Sequence, residues 1–160
     1  MKLGAKSGVK VSPTQQIAAF TAKFDPKMAK LITSLRKALR KRLPTAIELV
    51  YDNYNFLVFG FCTTDRASDC LVSLAAQAKG VSLCFYWGKT LPDPHKVLLG
   101  SGNQVRWIRL EGPATLARPE VEALLQAAVA EAKHPLPEVK GYTIVKSISA
   151  KQRPRRAPAK

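Results

Sequence analysis

A chain of 160 residues with 46% hydrophobic content and 26 Lys/Arg against 11 Asp/Glu, a formal charge of +15, has enough apolar material for one core and too little length for two. No run approaches the ~18 unbroken apolar residues of a membrane span, and the start lacks the apolar stretch of a signal peptide, so a cytosolic protein is expected. Cys62, Cys70 and Cys84 are odd in number and form no C-x-x-C pair, which speaks against a disulfide framework or a zinc site.

The positive charge sits at the two ends. Residues 1–42 carry eleven Lys/Arg against Asp25 alone, residues 140–160 carry seven against no acid, and residues 43–139 carry eight against ten acids. A near-neutral body between basic extremities allows the ends to hold a polyanion while the body does something else.

Residues 1–11 have no periodicity and read as a flexible basic arm. Ser12-Pro13-Thr14-Gln15 reads as an N-cap, a proline at the first helical position and a Gln placed to close a capping box, with Ile17, Phe20 and Phe24 following. Asp25-Pro26 repeats the start signal. Met28, Leu31, Ile32, Leu35 and Leu39 then define an apolar stripe on a helix that runs to about Arg42 and stops before Pro44.

From Ala46 the period changes to two. Ile47–Tyr51 and Phe56–Cys62 read as strands joined by Asp52-Asn53 turn chemistry, and Leu71–Ala76 and Val81–Trp87 read as a hairpin around Lys79-Gly80. In the latter strand Val81, Leu83, Phe85 and Trp87 share a face. Lys89 to Gln104 contains Pro92, Pro94 and Gly100-Ser101-Gly102-Asn103, an excursion before Val105–Leu110 returns to the sheet. Arg118-Pro119-Glu120 opens a helix with Val121, Leu124, Leu125, Ala128 and Val129 on its apolar face, ending near His134-Pro135. Tyr142–Ile148 reads as a weak edge strand. Residues 149–160, rich in Lys, Arg and Pro, cannot bury apolar surface and read as a basic disordered tail. The order predicts an α+β fold over residues 12–148, an antiparallel sheet of about five strands packed against N-terminal helices and a C-terminal helix.

Four segments carry a family resemblance: Leu35-Arg36-Lys37-Ala38-Leu39 ahead of Pro44; Glu48-Leu49-Val50-Tyr51; Leu74–Leu83; and Gly100-Ser101-Gly102 leading into Arg106, Ile108 and Leu110. With this element order they resemble the YdhG-like family of small bacterial and archaeal proteins, a domain of unknown function, over roughly residues 12–133. The family usually has a Gly-Met-Pro-like turn where this chain has Asp52-Asn53-Tyr54. One branch is described as a frataxin-like intracellular iron chaperone. The resemblance would then imply a cluster of hard oxygen ligands, for which Glu48, Asp52, Asp65 and Asp69 are the acids close in sequence. The basic first helices run against that role, because like charges repel iron.

The residues themselves point first to a binding module. Lys27, Lys30, Lys37 and Lys41 fall on one side of the second helix, opposite its apolar stripe. With Lys151, Arg153, Arg155 and Arg156 of the tail, Lys30, Lys37 and Lys41 form the candidate set for nucleic acid or another polyanion, without sequence preference because no helix-turn-helix or finger pattern is present. Tyr51, Tyr54, Tyr86, Trp87 and Trp107 are the candidates for a small-ligand pocket or a protein-interaction surface on an aromatic sheet face. His95 and His134 lie near no nucleophile motif, and Gly100-Ser101-Gly102 lacks the rest of a dinucleotide fingerprint. Neither an enzyme nor a bound cofactor is expected.

Overall fold

A computed structural model describes residues 11–158; the expected basic arm, apart from Val11, lies outside the described residues. The Ser12 hydroxyl accepts the Gln15 N–H at 3.1 Å while Gln15 Oε1 accepts the Ser12 N–H at 3.0 Å. This reciprocal capping box starts α1 (Pro13–Thr21), and Pro26 starts α2 (Pro26–Arg42). Ile17, Phe20, Phe24, Ile32, Leu35 and Leu39 are buried, so both apolar stripes face inward as their spacing predicts. Among the described residues no helix is long and apolar enough to cross a membrane.

The chain then builds a six-stranded sheet in the order β5-β4-β3-β2-β1-β6. Its members are β1 (Ile47–Asp52), β2 (Leu57–Cys62), β3 (Cys70–Gln77), β4 (Gly80–Phe85), β5 (Arg106–Leu110) and β6 (Thr143–Ile148). The pairings from β1 through β5 are antiparallel, whereas β6 lies parallel to β1 with Leu49 opposite Ile144. The sheet is therefore mixed rather than wholly antiparallel, and its sixth strand is the Tyr142–Ile148 segment expected as an edge strand. The parallel pair follows from the path between β5 and β6. That connection, through α3 (Pro113–Leu116) and α4 (Pro119–Ala130), carries the chain from one sheet edge to the other, a crossover that parallel pairing requires.

The helices lie on one face of the sheet. Leu35 of α2, Leu83 of β4 and Leu125 of α4 belong to a single cluster, which sets the phase of β4: Val81, Leu83 and Phe85 are fully buried, while Trp87, beyond the strand end, is exposed. The opposite face has a smaller cluster of Ile47, Leu49 and Cys62, with Tyr51, Cys70 and Ile144 against it. Its cysteines are free. Hydrogen bonding with Cys62 and burial push the Cys70 thiol well above its ordinary range, which favours its protonated form.

Candidate functional site

The three sides of α2 have different chemistry. One side enters the core. A second carries Arg36 and Arg40, turned toward β1, where Glu48 shares the helix-side face with Val50 and is 1% exposed. Arg36 grips Glu48 bidentately, Nε to Oε2 and Nη2 to Oε1 both at 2.7 Å, and the Thr143 hydroxyl donates to Oε1 at 2.7 Å. Arg40 donates to the Ala46 carbonyl at 2.7 Å and its ring-facing carbon sits 5.2 Å from the Phe61 centroid. Arg42, at the helix end, reaches Glu122 of α4 at 3.2 Å.

The third side has Lys27, Lys30, Lys37 and Lys41, all exposed. At 100° per residue they fall within about 80° of one another and extend over about 21 Å of helix. α2 contains no acidic residue, and among the described residues none of these lysines has an acidic partner within 4.0 Å.

The tail does not behave as its composition predicts. The chain leaving β6 follows the β1–β2 turn: Ser149 N–H donates to Asp52 O at 2.9 Å and Arg153 N–H to Tyr54 O at 2.9 Å. Arg155, expected in a disordered polyanion-binding tail, is 5% exposed. It donates to Asp52 Oδ1 at 2.9 Å and to Asn53 O at 2.7 Å, with its guanidinium carbon 5.8 Å from the Phe24 ring centroid. Arg155 is thus a structural cation and leaves the candidate polyanion set. Arg156 stays exposed, donating to Lys23 O at 3.3 Å and lying 3.7 Å from Asp25, the residue that precedes α2. Arg153 lies over Tyr54 at 5.7 Å, and Lys151 is exposed. Arg156 is therefore set down next to the start of the lysine face.

The physical reason is Asp52. As the last residue of β1 it faces the helix side with no exposed surface, and a buried carboxylate needs cations. Lys23 Nζ supplies one at 2.6 Å and Arg155 the other. Burial pushes the Asp52 carboxyl up, but the hydrogen bonds from Lys23 and Arg155 outweigh it and hold its pKa below the ordinary value.

The expected acidic cluster is not assembled. Glu48 and Asp52 are buried beneath separate cations, Asp65 is exposed on the β2–β3 loop, and Asp69 is half-buried with Thr64 donating to it at 2.7 Å. Among the described residues no group of three or more His, Cys, Asp and Glu side chains is placed to hold a metal. The aromatic set is also dispersed. Tyr51 lies on the open sheet face, where burial and then the neighbouring thiols push its phenol up. Tyr54 is beneath Arg153, and Trp107 is on β5, bridged to Leu99. Trp87 and Asp69, from different expected sets, do meet: both line a cleft between the β2–β3 loop, the turn after β4 and the end of α4, together with His134.

No family model, curated protein or solved structure matches this chain. The YdhG-like resemblance accordingly rests on the four segments quoted for it.

Proposed function

We propose that the protein binds nucleic acid or another extended polyanion without sequence preference, using the lysine face of α2 as its grip, with Arg156 at the start of that helix and Lys151 and Arg153 elsewhere on the docked tail as an extension. One observation carries this reading: among the described residues the fold compensates Arg36, Arg40, Arg42 and Arg155 with carboxylates or carbonyls, yet leaves Lys27, Lys30, Lys37 and Lys41 without an acidic partner on one exposed face. Four like charges on one helix face repel one another, and a polyanion relieves that repulsion. A straight face of about 21 Å runs along about six base pairs of duplex, and each phosphate contact releases counterions. The contacts are point charges on flexible stems, which hold phosphate without reading bases.

The test is the salt dependence of binding to two duplexes of unrelated sequence. With four to five contacts the slope of log affinity against log salt is about −4, and the Lys37→Gln/Lys41→Gln variant lowers its magnitude by about 2. Both side chains are exposed, so the variant keeps the fold. A flat salt dependence, or a slope that the double variant leaves unchanged, refutes the assignment of this face.

A further inference from the structure

The cleft that joins Trp87 to Asp69 is separate from the lysine face and has its own chemistry. Its volume is about 410 Å³, within the roughly 300–1,000 Å³ range of small-molecule sites. Leu71, Phe85 and Leu91, all buried, make an apolar floor. Trp87 stands at the wall, 55% exposed, with its ring edge-on to Tyr86 at 5.6 Å. A large aromatic left open beside an apolar floor is a surface that a planar ligand would cover.

Backbone geometry keeps Trp87 there. The turn Gly88–Thr90 lies directly against β5: a Cβ on Gly88 would sit 2.5 Å from the Arg106 Cβ and 2.8 Å from its backbone nitrogen. Only glycine permits that approach. The Thr90 hydroxyl and N–H both donate to the Trp87 carbonyl, at 3.1 and 3.2 Å, which closes the turn behind the ring.

Across the cleft, the Asp69 carboxylate is held on one side and faces His134 on the other. Thr64 Oγ1 donates to Oδ2 at 2.7 Å, and His134 Nε2 faces Oδ1 at 4.0 Å. The loop is tied further by Asp69 N–H to Arg66 O at 3.0 Å and Thr63 N–H to Asp69 O at 3.2 Å. The other acid lining the cleft, Glu131, lies exposed at the end of α4. Arg66 and Lys133 also line it, and among the described residues neither has an ion-pair partner. Arg66 and Lys133 are thus two cations without an ion-pair partner, among the described residues, beside an apolar, aromatic-walled space.

We propose that this cleft binds a small aromatic anion, its planar ring against Trp87 above Leu71, Phe85 and Leu91 and its carboxylate or phosphate held by Arg66 and Lys133. The floor accounts for the ring, because burying it removes apolar surface from water. The cations account for the charge, since a guanidinium fork matches both carboxylate and phosphate oxygens.

The experiment titrates the full chain with phenylacetate and with phenyl phosphate, following backbone amide shifts by NMR, with benzyl alcohol and inorganic phosphate as controls. At least one aromatic anion binds with a Kd tighter than about 1 mM, and its shifts fall on Thr63–Leu71, Trp87–Leu91 and Ala128–His134. Which of the two binds more tightly identifies the headgroup. Trp87→Ala and Arg66→Gln each weaken binding by about tenfold or more. Because both side chains are exposed, an unchanged thermal midpoint shows that the fold is intact. The proposal is overturned if neither aromatic anion binds, if either control binds as tightly, if the shifts fall on α2 instead, or if either variant keeps full affinity.

Discussion

Replacing Arg155 with alanine tests whether the C-terminal segment is part of the folded body. Its guanidinium is buried and satisfies Asp52 Oδ1 at 2.9 Å and Asn53 O at 2.7 Å. Removing one member of a buried ion pair costs about 3–5 kcal/mol when the other is stranded. Asp52 is not wholly stranded here, because Lys23 remains at 2.6 Å with 41% of its side chain exposed. The expected loss therefore falls below that range, at about 2–3 kcal/mol, measured by urea denaturation at pH 7. The pH dependence gives a second readout. Since the folded-state pKa of Asp52 is lowered, its stabilisation is fully present above the unfolded-state value of about 3.9 and is lost as pH falls through the lower folded value. The stability gap between the native protein and Arg155→Ala should hold constant from pH 8 down to about 4 and close below it. Trypsin should also cut after Lys151 faster in the variant, as the segment no longer docks. A variant within about 0.5 kcal/mol of the native protein at pH 7, with unchanged cleavage, would refute the docked tail.

Leu83→Ala should destabilise the domain by about 2–5 kcal/mol in the same denaturation assay, because Leu83 is fully buried at the centre of the helix-facing cluster; a loss under about 1 kcal/mol would mean that the phase of β4 is wrong. Glu48→Gln should cost about 2–3 kcal/mol, since it removes the carboxylate that holds Arg36 and accepts from Thr143. If Glu48→Gln instead leaves the urea midpoint unchanged, the Arg36 side of α2 is not anchored to β1.

What could be read before the structure was whatever depended on neighbours in sequence. The Ser12/Gln15 cap, the α2 stripe and the alternation of Val81, Leu83 and Phe85 are local chemistry and periodicity, and each appears as its pattern predicts. The docking of residues 149–156 depends on a long-range requirement, the compensation of Asp52, and the parallel seat of β6 depends on the crossover through α3 and α4. Asp52-Asn53 reads as turn chemistry when taken as a pair. Taken by alternation, Glu48, Val50 and Asp52 share one face, and Val50 is too apolar to face water; two acids on the core side of a strand are a signal that cations must come from elsewhere in the chain. Tail composition could not show this, because it weighs apolar surface and ignores the charge a buried carboxylate draws in. The cleft was hidden for a related reason. Trp87 continues the alternation of β4 by count, but the strand ends at Phe85, and the β2–β3 loop and the end of α4 that complete the cleft are distant in sequence.

On α2 the cations divide by residue type as well as by place. On α2 the compensated ones are Arg36, Arg40 and Arg42, and in the tail Arg155; the uncompensated ones on the helix are Lys27, Lys30, Lys37 and Lys41. A guanidinium offers a planar fork that satisfies a carboxylate or several carbonyls at once, so it suits positions where the fold must be fixed. An ammonium on four methylenes is a mobile, strongly hydrated point charge, poorly suited to locking a strand to a helix and well suited to following a phosphate backbone that is never twice in the same register. Because the two groups lie on adjacent sides of one helix, stability and polyanion binding share α2 without sharing side chains. Substitution of Lys37 and Lys41 therefore interrogates binding with the fold in place, whereas substitution of Arg36 changes the platform on which those lysines stand.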